Sequence, residues 1–167
     1  MARVRKKTLQ ALFARAADCE TLCSEIYTEL SARCDSVPSV AAFWDSFAKD
    51  EMNHAEMIQE IEGSLTRQEL SAPPTDDQWK SLLATEDFLA CLQVRSVRDL
   101  EEAYELAHEI ENYELTLISQ LFVNEVIKNN QLVDFMKAQL DEHIHRLEEI
   151  GTQWGSVSAR RAVRFLK

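Results

Sequence analysis

Glutamates placed inside apolar helical stripes constrain this chain more than any other feature of its sequence. Read in steps of three and four, one segment gives Leu9, Phe13, Ala16, Glu20, Cys23, Tyr27, Leu30 and Cys34. A second gives Val40, Trp44, Phe47, Glu51, His54, Ile58 and Ile61. A third gives Leu100, Tyr104, Ala107, Glu111, Glu114, Ile118 and Leu121, and a fourth gives Phe135, Ala138, Glu142, His145 and Glu149. Such steps place residues on one face of a helix, so each stripe reads as a core seam interrupted by carboxylates at mid-height. A bare buried carboxylate is costly unless it is protonated, paired or metal-bound. Four helices carrying that cost at one level need a common cause. Two divalent cations supply it, because their charge balances that of Glu20, Glu51, Glu111 and Glu142.

The two halves of the chain also match each other. Adding 91 to a position in the first half takes Leu9 to Leu100, Phe13 to Tyr104, Ala16 to Ala107 and Glu20 to Glu111. The same offset takes Trp44 to Phe135, Glu51 to Glu142 and His54 to His145. A lone E-x-x-H is weak evidence in a chain with 29 acidic residues and four histidines. Two of them on core stripes, each matched by a glutamate on the neighbouring helix, are much stronger. Residues three apart share a helical face, so a carboxylate and an imidazole can meet the same metal pair. Iron fits such a donor set, and manganese or zinc is also compatible with it.

Glycine and proline, three of each, leave few breaks. The spacing predicts helices over Lys7–Cys34, Pro38–Glu62, Val97–Lys128 and Gln131–Ile150, with Gly63 and Gly151 as closing residues and a break at Asn129–Asn130. Between the second and third lies a connection long for a loop, within which Trp79–Val94 is apolar enough for a short helix. The expected fold is all-α: a four-helix bundle of two helical hairpins joined by a long crossover, the ferritin-like arrangement. It should occupy residues 1–152, with 153–167 as a short C-terminal tail. The net charge of −11 argues against nucleic acid as a partner, and no apolar run is long enough for a membrane span. The basic N-terminus lacks the apolar run of a signal peptide, and Cys19, Cys23, Cys34 and Cys91 form no C-x-x-C pair, so a cytoplasmic protein with reduced thiols is expected.

Several side chains near the expected site invite a role. Glu114 sits one turn past Glu111 and reads as an additional ligand, the alternative being a seam-edge residue that reaches solvent. Its counterpart, Cys23, reads as a core thiol beside the site. Tyr27 is either plain core or a hydrogen-bond donor to a ligand carboxylate. His108 and His143 fall off the stripes and read as surface groups or as groups behind the ligands. Asp50 and Asp141 are placed to orient histidines across the bundle, although solvated acids are the plainer reading. A second apolar line, Leu140, Ile144 and Leu147, is assigned to the crossover, the tail or a two-fold homodimer interface, with a homodimer favoured.

These segments resemble the rubrerythrin branch of the ferritin-like superfamily over about residues 9–150. The resemblance is carried by Glu20 with Tyr27, "KDEMNHAEMI", "EIENYELTLISQLF" with its E-x-x-E, and "LDEHIHRLEEI". It implies two iron ions, with Glu51 and Glu142 as bridging carboxylates, Glu20 and Glu111 as terminal ligands, and His145 as a terminal imidazole. Glu114 and His54 would exchange on the other iron with oxidation state. It further implies reduction of hydrogen peroxide, or dioxygen, by the reduced site. Many members carry a rubredoxin module with two C-x-x-C pairs, which this sequence lacks, so a separate electron donor such as a rubredoxin is expected. The competing expectations are a ferroxidase or other iron-handling protein, and a binding or scaffold bundle that a metal merely stabilises.

Overall fold

A computed structural model describes residues 7–122 and 130–165. Helix α1 (Leu9–Arg33) starts where the Thr8 hydroxyl accepts the Ala11 N–H at 3.2 Å. After a short turn, Pro38 opens α2 (Pro38–Ser64), a position where its missing N–H leaves no intrahelical bond unmade. The crossover holds α3 (Arg67–Ser71) and α4 (Asp76–Cys91), each begun by a capping box, Thr66 with Glu69 and Thr75 with Gln78. A 3-10 turn at Val94–Ser96 leads to α5 (Leu100–Leu121), capped by Asp99 accepting from the Glu102 N–H. Helix α6 (Asn130–Glu148) follows, then α7 (Ile150–Gln153) and α8 (Val157–Ala162).

Helices α1 and α2 form one hairpin and α5 and α6 the other, while α4 lies in the crossover against both α1 and α5. This is the ferritin-like four-helix bundle. Its core combines aliphatic residues of all four long helices with an aromatic group in which Trp44 stacks on Tyr27 at 5.8 Å and Phe47 meets Tyr27 edge-on.

Some boundaries differ from expectation. Gly63 lies inside α2, Gly151 lies inside α7, and among the described residues only Gly155 has a positive φ, at 76°. Part of the expected Val97–Lys128 helix, and Asn129 of the expected break, fall on residues 123–129, outside the described residues. Residues after Gln153 pack onto the bundle. Leu100 donates to the Val163 carbonyl, Phe165 donates to the Arg98 carbonyl at 2.9 Å, and the Arg160 guanidinium pairs with buried Glu101.

Candidate metal centre

Three helices deliver carboxylates to one level of the core, as their apolar flanks require. Glu20 on α1, Glu51 on α2, and Glu111 and Glu114 on α5 are all buried, and so is His54, one turn beyond Glu51. Oxygen atoms of Glu20, Glu51 and Glu114 lie within 4.8 Å of one another. Donor atoms of Glu51, His54 and His143 form a second group of the same size, so Glu51 is common to both. His143 Nδ1 is 3.2 Å from Glu51 Oε1 and 3.2 Å from Glu111 Oε2.

Helix α6 is thus rotated relative to expectation. Glu142 and His145 face solvent; the His145 side chain is 67% exposed and lies 3.8 Å from Glu148. Their whole stripe is outside the core: Phe135, Ala138 and Glu149 are exposed as well. The buried face of α6 is Val133, Met136, Leu140, His143 and Leu147, with Ile150 beyond its end. That face buries apolar surface at every step but one, whereas the E-x-x-H stripe has no apolar continuation past His145. Burial favours the former. Leu140 and Leu147 belong to the bundle core and are not available to a dimer interface. The apolar spacing of Met136, Leu140 and Leu147 around His143 is the sequence signal that reveals it.

The surrounding groups fix the cluster. Tyr27 donates its hydroxyl to Glu111 Oε1 at 2.7 Å, the second of its two expected roles. Asp50 lies 3.4 Å from His143 Nε2 and accepts a 2.7 Å bond from Arg146, so it orients a histidine across the bundle, whereas Asp141 is exposed. With Nε2 turned to Asp50, the imidazole presents Nδ1 to the carboxylates. Arg146 also covers the Phe47 ring at 4.4 Å, and Phe47 packs on His143 at 4.7 Å. His108 is off the cluster, bonded to Asn112. Cys23 is buried beside the site; burial, with the charges of Glu114 and Glu20, pushes its thiol well above the ordinary range.

The electrostatics are those of crowded charge in a dry interior. Burial pushes Glu20 up to about 7. Burial, followed by the charges of Glu51, Glu20 and Glu111, drives Glu114 well up. Glu51 moves the other way: burial opposes its charge, but His143 and His54 outweigh it and bring the carboxyl down to about 2. His54 and His143 are pulled down by burial and pushed up more strongly by their carboxylate neighbours, to about 9 and about 12. Without another cation, protons alone relieve the repulsion among these four carboxylates.

The Rubrerythrin family model matches residues 11–147. The chain belongs to the rubrerythrin family. No curated protein and no solved structure matches it. Rubrerythrin membership implies a carboxylate-bound di-iron centre, and the residues here suit a metal. Both oxygens of Glu20, both of Glu114, Glu51 Oε1 and His54 Nε2 are buried without a hydrogen bond. Such orphaned acceptors in a core are expensive, and divalent cations satisfy them. Glu142 and His145, which the rubrerythrin resemblance placed in this set, face solvent, and His143 is the α6 side chain that meets the cluster.

Among the described residues no helix is long and apolar enough to cross a membrane.

Proposed function

We propose that this protein is a non-haem di-iron oxidoreductase that reduces hydrogen peroxide with electrons from a separate donor protein. The observation that supports this reading most is the sharing of Glu51 between two groups of buried donor atoms, several of them without a hydrogen bond. One carboxylate common to two clusters is the arrangement that spans two cations. Glu20, Glu51 and Glu114 would hold one ion, and Glu51, His54 and His143, with Glu111 3.2 Å from His143, the other. When bound, a ferrous pair supplies the two electrons that cleavage of one O–O bond consumes, giving water with two protons.

The chain's own groups prepare that reaction. Tyr27 keeps its proton, because burial and the Glu111 charge push its hydroxyl well above the usual range, and it holds that proton against Glu111 Oε1. Asp50 and Arg146 hold the His143 ring in one orientation. Trp44 and Phe47, both fully buried, keep bulk water from the cluster.

The test is anaerobic. Protein loaded with Fe2+ is mixed with one equivalent of peroxide or with air-saturated buffer, and oxidation is followed optically. Oxidation much faster with peroxide is expected. A rate with peroxide equal to or below that with air overturns the proposal and favours iron handling.

A further inference from the structure

The internal repeat places an apolar side chain where symmetry calls for a carboxylate. Glu20 and Glu111 are equivalent positions of α1 and α5. On the paired helices the buried faces align Phe47 with Met136, Glu51 with Leu140, His54 with His143 and Ile58 with Leu147. The histidine is therefore repeated and the glutamate is not. Leu140 is 1% exposed, and Asp141 and Glu142, the carboxylates that follow it on α6, both face solvent.

We propose that Leu140 makes the two metal positions unequal, so that the protein binds its first ion tightly and its second weakly, in separate steps. The inference rests on the metal-binding reading above. The first position has two carboxylates of its own, Glu20 and Glu114, and a share of Glu51. The second has one carboxylate of its own, Glu111, beside His54 and His143, with only the other share of Glu51. Each carboxylate removed from a dry site subtracts a full negative charge and a hard oxygen donor, the two things that hold a divalent cation there. One turn before His143 on the same buried face, α6 offers a hydrocarbon instead.

Calorimetric titration of the metal-free full-length protein with Fe2+ under anaerobic conditions tests this. Dissociation constants more than about tenfold apart, or a single ion bound, are expected. Leu140→Glu should bring the two steps within about tenfold of each other. His143→Gln should remove the weak step and spare the tight one, and it serves if Leu140→Glu does not fold. Two ions bound within about tenfold in the unaltered protein overturn the inference. So does a folded Leu140→Glu protein with an unchanged separation, or loss of the tight step in His143→Gln. Failure to bind any ion overturns the metal-binding reading itself, an outcome distinct from equal binding.

Discussion

Helices α2 and α6 each carry an E-x-x-H, and the structure treats the two in opposite ways. On α2, Glu51 and His54 are sealed in the core, 2.8 Å apart. On α6, Glu142 and His145 are in solvent, and the residue between them, His143, is the one that meets the cluster. The difference is not in the motif but in what lies a turn away on either side. Glu51 has Trp44 and Phe47 before it and Ile58 and Ile61 after His54, all buried. Glu142 has Phe135, at 54% exposed, and Glu149. A ligand spacing becomes a site only when apolar neighbours rotate it inward.

The sharpest way to break this comparison is to remove each glutamate in turn. Glu51→Gln should lower metal affinity by more than about 100-fold, because both clusters use this residue, while Glu142→Gln should leave affinity unchanged within error. Competition with a chelator of known affinity reads both, and equal losses would show the two motifs to be equivalent after all.

The next effect concerns stability. Leu147→Ala should cost about 2–5 kcal/mol in urea unfolding of the metal-free protein, since its side chain is fully buried on the α6 core face. Phe135→Ala, one step along the exposed stripe, should stay within about 0.5 kcal/mol. The reverse ranking would put the E-x-x-H face of α6 back in the core.

The smallest effect should come from the aspartates that precede the two motif glutamates. Asp50→Asn weakens the hold on His143 Nε2 and should reduce metal affinity by about 10-fold to 100-fold, whereas Asp141→Asn should not change it. A loss shared by both variants would indicate a general charge effect in place of orientation of one ring.

Most of the fold was legible because helix and seam are encoded locally. The stripes through Glu20, Glu51, His54, Glu111 and Glu114 are framed by Phe13, Tyr27, Trp44, Phe47, Ile58 and Ile118, which allow one register only. The α6 register depended on a distant property, the length of the connection that feeds it. The span from Glu111 to Leu140 is two residues shorter than the span from Glu20 to Glu51. An offset calibrated on α1 and α5 therefore fails on α6 by more than half a turn, enough to exchange inside for outside. The role of Asp50 was visible as an option but could not be settled while its partner histidine lay off the expected stripe, readable as a surface group or as one behind the ligands. The packing of Arg160 against Glu101 had no periodic signature at all, since it joins two residues distant in sequence.

Trp44 offers a practical return on the aromatic packing around Tyr27. Its indole is fully shielded and lies parallel to a phenol ring whose hydroxyl touches Glu111. Trp79, by contrast, sits under the cations of Arg15 and Lys7 where α4 meets α1, and Trp154 is only partly shielded. The emission of this chain thus divides into one chromophore adjoining the cluster and two elsewhere. Trp79→Phe and Trp154→Phe together would leave a protein whose remaining fluorescence reports the occupancy of its centre without an added dye.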